Sequence, residues 1–188
     1  CAVPGYRVLV SVSDNPSRKL PYTLELIEVE NSWVDTNTQR ANRVVEEGLR
    51  SGTVSNLQGY SVQPEYRFGE SRIDFFLEKG DEKVLIEVKN VTLCCEPTTA
   101  CFPDAVTVRG QKHLRELMLA VKQGYRGIIF FLVQRGEAHC FSPADRIDPE
   151  YGRLLREAVA SGVEALAIQT VVTSGSVCLA RELPVVLL

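Results

Sequence analysis

No run of about 18 apolar residues occurs in this chain, so no segment reads as a membrane-spanning helix. No charged leader followed by an apolar stretch opens it, which excludes a visible secretory signal. No glycine-rich phosphate loop and no Gly-x-Ser-x-Gly turn is present, so neither a nucleotide cradle nor a hydrolase nucleophile elbow is legible. There is no excess of positive charge: the net charge is −3 and the pI about 5.5, which argues against a protein that simply coats nucleic acid. Acidic metal ligands would lower the pI while basic residues still cluster on one face. The six cysteines, Cys1, Cys94, Cys95, Cys101, Cys140 and Cys178, contain no C-x-x-C pair. Cys94, Cys95 and Cys101 could be imagined with His113 as a zinc site, but paired zinc spacing is missing. Reduced thiols in a small cytoplasmic protein are the expectation. The chain opens on Cys1 rather than Met and reads as a fragment, a processed product or a trimmed chain, with an N-terminal part expected to be missing.

What is there is 188 residues, 45% hydrophobic, enough for one well-buried core with a remnant of another. Residues Tyr6 to Val12 alternate like a strand, Asp14 to Lys19 form a turn, and Tyr22 to Val29 read as a second strand with Leu24, Leu26 and Glu28 on one face. Two short strands are not stable alone, so they read as the end of a β-rich module. Asn37 or Thr38 caps a helix that runs to Leu49 near Gly52, with Ala41, Val44, Val45 and Leu49 on its apolar side. Strands follow over Tyr60 to Phe68, Arg72 to Leu77 and Val84 to Val91, then a loop from Thr92 to Asp104 broken by Pro97 and Pro103. A second helix spans Val108 to Lys122, with Leu114, Leu117, Met118 and Val121 as its buried stripe. Gly127 to Val133 is a continuous apolar run suited to a central strand. Asp148-Pro149 opens a third helix to Ala160, and Val163 to Val172 is a further strand. Helix, three strands, helix, strand, helix, strand suggests a mixed sheet with helices on its faces.

The chemistry concentrates at Asp74 and, thirteen residues on, Glu87-Val88-Lys89. On a strand Glu87 and Lys89 share one face, and Ile86 and Val88 the other. An antiparallel hairpin centred between Gly80 and Asp81 pairs Asp74 with Glu87, at about 4.5–5.5 Å between Cβ atoms. Two carboxylates so close repel, which raises one pKa unless a cation intervenes. Hard oxygen ligands suit Mg²⁺ or Mn²⁺, with the Val88 carbonyl as a further ligand. Lys89 would then orient or deprotonate a water, or stabilise phosphate charge. The ordinary reading of Glu-x-Lys on a strand is a solvated ion pair. Against it stand the apolar setting of Glu87, the run Ile73-Asp74-Phe75-Phe76-Leu77 around Asp74, and the register that joins the two. Sites of this kind often take an acid from the preceding helix. Glu46 and Glu47 flank the apolar stripe about equally, and periodicity does not choose between them. The second helix carries Arg109, Gln111, Lys112, His113 and Arg115 near its start, which forms a phosphate-facing surface or a solvated helix face. His113 also fits a packing role, and His139 is isolated.

At these residues the sequence resembles the sugar fermentation stimulation protein A family. The resemblance is carried by Ser71-Arg72-Ile73-Asp74-Phe75, by Ile86-Glu87-Val88-Lys89-Asn90-Val91-Thr92-Leu93, and by the block from Phe102 to Leu114. Trp33-Val34, Asn37-Thr38, Asn42-Arg43 and Leu183-Pro184-Val185-Val186-Leu187 fit as well. That family is described as bacterial and archaeal DNA-binding proteins with an N-terminal OB-type β-barrel, a PD-(D/E)XK nuclease-like domain and a regulatory role in maltose metabolism. The resemblance implies a PD-(D/E)XK restriction-endonuclease-like mixed sheet flanked by helices (residues 36–188), preceded by the tail of an OB-like β-barrel (residues 1–35). It implies Asp74, Glu87 and Lys89 as the catalytic triad with Glu47 as the helix acid, Asp74, Glu87 and Val88 around Mg²⁺ or Mn²⁺, and DNA as the partner. Arg72, Arg109, Gln111, Lys112 and His113 are the expected DNA contacts. Nuclease-like domains often dimerise, so a homodimer is an assembly the resemblance allows. The expected reaction is in-line attack of water on a phosphodiester; the alternative is a non-enzymatic, non-specific DNA-binding regulator of sugar metabolism.

Overall fold

The structure, a computed structural model, describes residues 3–187. Cys1 lies outside them. The first layer is a small antiparallel sheet of β1 (Val8–Val12), β2 (Tyr22–Val29) and β3 (Ser32–Asp35), in that spatial order. Strand β3 was not legible in the sequence: four residues leave too little alternation to read. Its Val34 is fully buried with Ile27 and Val29, a small core of its own. Of the expected face, Leu26 is buried but Leu24 is largely exposed.

Helix α1 (Thr38–Ser51) starts where Asn37 accepts a hydrogen bond from the Gln39 N–H and stops at Gly52, whose left-handed φ of 76° a side chain would resist. Its buried residues include all four apolar positions expected from the periodicity. Three strands follow as a meander: β4 (Ser61–Phe68), β5 (Ser71–Lys79) and β6 (Glu82–Val91). β5 and β6 join through Gly80-Asp81, with Gly80 at φ 60°.

The stretch from Thr92 to Asp104 is not a plain loop. It holds a hairpin of β7 (Leu93–Glu96) and β8 (Thr99–Phe102), to which β10 (Cys140–Pro143) adds in parallel. These strands are four residues each; β7 and β8 pair locally, and only the pairing of β10 with β8 joins distant parts of the chain. The ladder shifts between Cys94 and Glu96, where Cys95 bonds to Cys101 as a disulfide, with Cα atoms 5.9 Å apart. The expectation of reduced thiols is thereby corrected for this pair; Cys94, Cys140 and Cys178 are free.

Helix α2 (Val108–Lys122), the central strand β9 (Arg126–Val133), helix α3 (Pro149–Ala160), β11 (Glu164–Val172) and β12 (Val177–Leu183) complete the chain. The main sheet has the order β12-β11-β9-β6-β5-β4. β6, β9 and β11 run parallel and the outer pairs antiparallel, so the sheet is mixed. α1 packs on one face over Phe75, Leu77, Ile86, Val88 and Phe130. α2 and α3 cover the other over Ile73, Leu85, Ile129 and Phe131. β9 is buried almost throughout because it has neighbours on both edges and helices on both faces.

Candidate functional site

Along β6 the alternation is regular. Ile86 and Val88 enter the α1-side core, while Leu85 and Val91 face α2, so Glu87 and Lys89 also face α2. β5 behaves differently. Ile73 belongs to the α2-side core, yet Phe75, two residues on, belongs to the α1 side. The alternation slips at Asp74. Opposite it on β4, Glu65 holds a left-handed φ of 59°, and neither neighbouring ladder pairs Asp74 itself. The β5–β6 register, Phe75 to Ile86, carried one step further sets Asp74 across from Glu87, as the hairpin arithmetic predicts.

The slip sends the two carboxylates to different partners. Asp74 Oδ1 accepts from Asn42 Nδ2 of α1 at 2.8 Å, and its Oδ2 from the Val88 backbone N–H at 2.8 Å. Glu87 Oε1 accepts from Lys89 Nζ at 2.7 Å and meets His113 Nδ1 of α2. Glu87 Oε2 is buried with no partner. Burial, and then the neighbouring Glu87 charge, push the Asp74 carboxyl above its ordinary value, against the Val88 and Asn42 hydrogen bonds and Lys89. Burial also pushes Glu87 up, but the His113 hydrogen bond and the Lys89 charge outweigh it, and the net direction is down.

A cleft of about 460 Å³ opens beside Lys89, lined by Thr36, Thr38, Asn42, Val88, Asn90 and Asp104 among others. A second cavity, about 360 Å³, reaches Asp74 with Asn42, Arg43 and Glu46 on its α1 wall. Asn42 lines both. Residues four apart on a helix share a flank. Asn42 and Glu46 therefore face Asp74, whereas Glu47 is exposed on the other flank, lining a groove of about 590 Å³ with β1, β2 and residues 173–178. Glu46 and not Glu47 is brought towards Asp74, and Glu46 is engaged by Arg50 at 2.8 Å. Asn42 is the α1 residue that sequence reasoning missed. Its signal was a polar side chain at the edge of the apolar stripe, one residue after Ala41.

The expected DNA-facing set divides. Arg109 and Lys112 are exposed, as is Arg72, which pairs with Glu65. Gln111 and His113 are buried, at 9% and 4% exposure, and neither offers a free surface group. The Gln111 amide donates to both Asp148 oxygens at 3.0 and 3.1 Å, and His113 packs against Glu87 and Lys89. Both project inward because α2 turns that side towards β6 and α3. The imagined zinc set is not assembled either: Cys95 and Cys101 are joined, and His113 lies with Glu87. Among the described residues no three of His, Cys, Asp and Glu converge as they would around a metal. Asp74 and Glu87 are close enough for the Glu87 charge to act on Asp74, and two carboxylates suit Mg²⁺-like ions, which complete their shell with water and substrate oxygens. The unpartnered Glu87 Oε2 and the raised Asp74 are what such an ion would satisfy.

A mixed sheet with helices on both faces, carrying Asp74, buried Glu87 and Lys89 on neighbouring strands, defines an α/β protein with a small β module attached. Two family models match the chain: the sugar fermentation stimulation protein RE domain over residues 39–176, and the SfsA N-terminal OB domain over residues 1–35. A sugar fermentation stimulation protein homolog of Syntrophotalea carbinolica is 62% identical over 185 residues, covering 98% of this chain and 80% of the relative. One from Geobacter sulfurreducens is 55% identical over 187 residues, covering 98% and 80%. The structure of Pyrococcus furiosus SfsA in complex with Ca²⁺ superposes with a TM-score of 0.89 at 28% identity, over 98% of this chain and 79% of that one. The chain belongs to the sugar fermentation stimulation protein family. Among the described residues no helix is long and apolar enough to cross a membrane.

Proposed function

We propose that this chain binds DNA and hydrolyses its phosphodiester bonds at a divalent-metal site of the PD-(D/E)XK type. One observation carries the reading: Glu87 is drawn into the core with its oxygen Oε2 buried there without a partner, while Asp74 lies half-buried on the neighbouring strand. A buried, unsatisfied carboxylate oxygen beside a second carboxylate is costly without a cation. The Ca²⁺ in the Pyrococcus furiosus relative supports a hard divalent ion in this family.

Asp74, Glu87 and the Val88 carbonyl would hold Mg²⁺ or Mn²⁺. When bound, the ion supplies Lewis-acid polarisation of a phosphate and a water that ionises near neutral pH. Asn42 fixes the Asp74 carboxylate through its amide N–H. Lys89 extends from Glu87 at the cleft wall, where its ammonium can orient the attacking water or stabilise the charge that develops on phosphate. Arg109 and Lys112, exposed near the start of α2, and Arg72 on β5 are the groups available to the DNA backbone. Gln111 and His113, being buried, are not among them.

Nicking of supercoiled plasmid with Mg²⁺ or Mn²⁺ tests this. The wild type should nick, and Asp74→Ala and Lys89→Ala should each lose about 100-fold or more. Absence of nicking by the wild type, with salt-sensitive DNA binding intact, would replace the reading by that of a non-enzymatic DNA-binding regulator.

A further inference from the structure

We infer that His113 is a positioning residue that fixes the rotation of the Glu87 carboxylate, so that one oxygen is tied down and the other is presented to a metal ion. The inference rests on the metal-site reading above.

A glutamate side chain turns freely about its last bond unless its oxygens are distinguished. Here they are. Oε1 is contacted by both His113 Nδ1 and Lys89 Nζ, and Oε2 has no hydrogen-bond partner, although the side chain is only 3% exposed. The His113 side chain is 5% exposed, so it can serve neither as a DNA contact nor as a surface proton donor. Arg109 Nε lies 3.4 Å from His113 Nε2 and points its N–H there, which leaves Nδ1 as the ring nitrogen that carries hydrogen towards Glu87. Lys89 Nζ, 3.1 Å from the same Nδ1, is then bound to Glu87 and not to the ring.

The ring is placed by elements that have no part in the chemistry. Thr107 caps α2 through the Gly110 N–H at 3.0 Å. One turn on, Gln111 is tied to Asp148 at the start of α3. These contacts fix the rotation and height of α2, and so the point from which His113 reaches β6. A histidine that merely filled space would need none of the alignment with Oε1. Groups that hydrogen-bond a metal-ligating side chain typically contribute 10–100-fold to metal affinity.

Calorimetric titration of Mn²⁺ into the folded chain, with the melting temperature recorded for each variant, tests the inference without relying on catalysis. His113→Ala should weaken Mn²⁺ binding about 10–100-fold. His113→Asn, whose amide can donate from nearly the position of Nδ1, should remain within about 3-fold of wild type, and Glu87→Gln should abolish binding. Should His113→Ala fail to fold, His113→Leu, which fills the space without a donor, takes its place. Wild-type affinity in the Ala or Leu variant, with Glu87→Gln still inactive in binding, overturns the role of His113 alone. A folded His113→Asn variant as weak as His113→Ala overturns it too, because donation would then not be what matters. Wild type that binds no Mn²⁺, or Glu87→Gln that binds it normally, brings down the metal-site reading and this inference with it.

Discussion

Asp148→Ala should destabilise this protein far more than an ordinary helix cap. Asp148 is 2% exposed. Its carboxylate accepts from the Thr107 N–H at 2.9 Å, from the Tyr151 N–H at 2.9 Å, and from the Gln111 amide at 3.0 and 3.1 Å. It thus caps α3 and ties the start of α2 to it. Loss of a cap costs about 1 kcal/mol. Each further buried donor left without an acceptor costs about 1–3 kcal/mol. Losses at one centre do not add fully, so the net is about 3–5 kcal/mol, at the upper end for single substitutions. For a chain of this size that corresponds to a fall in Tm of roughly 10 °C. Urea and thermal unfolding followed by circular dichroism measure it. Asp148→Asn keeps an acceptor oxygen and should lose about half as much. Burial pushes the Asp148 carboxyl up, but the Thr107, Tyr151 and Gln111 hydrogen bonds outweigh it, so its folded pKa is depressed. A depressed carboxylate stabilises the fold above its unfolded value, near 4, and that contribution vanishes as pH falls through the folded pKa. The gap between wild type and Asp148→Asn should therefore narrow below about pH 4. A loss under about 1 kcal/mol for Asp148→Ala, or a gap that widens in acid, would refute the reasoning.

The flank argument on α1 predicts that Asn42→Ala, which strips Asp74 of a hydrogen bond, lowers plasmid nicking about 10-fold or more, whereas Glu47→Ala changes it less than about 2-fold. Selective loss in Glu47→Ala would reverse the assignment. The Cys94 thiol is pushed up to about 11, chiefly by burial. At pH 8 its alkylation by iodoacetamide, followed by peptide mass spectrometry, should run about 100-fold slower than that of an unperturbed exposed thiol, whose pKa is near 8.5. Comparable rates would contradict its placement. In the same non-reduced digest the single peptide that carries both Cys95 and Cys101 should show neither alkylated, and alkylation at both would contradict that bond.

Much of this protein follows from local rules. The three helices were legible because each has a periodic apolar stripe between a polar cap and a glycine: Asn37 to Gly52, Thr107 to Gly124, Asp148 to Gly162. The hairpin register that sets Asp74 across from Glu87 followed from counting outward from Gly80-Asp81. The four-residue strands β3, β7, β8 and β10 were missed because so few residues carry no reliable period and β10 pairs with a strand far back in the chain, and the seven-residue edge strand β12 was missed as well.

The sequence by itself determined which residue types could do chemistry and which strands carry them, since strand alternation and turn position depend only on neighbours along the chain. It could not decide where their side chains point. Asp74 turns to Asn42 because the alternation of β5 slips opposite Glu65, and that slip exists only in the assembled sheet. Glu46 rather than Glu47 approaches Asp74 because of how α1 rolls on its core. Gln111 and His113, polar residues near the start of an apparently basic helix, are turned inward by the packing of α2 between β6 and α3. Helix rotation is set by contacts with partners distant in sequence, and those only the tertiary structure supplies.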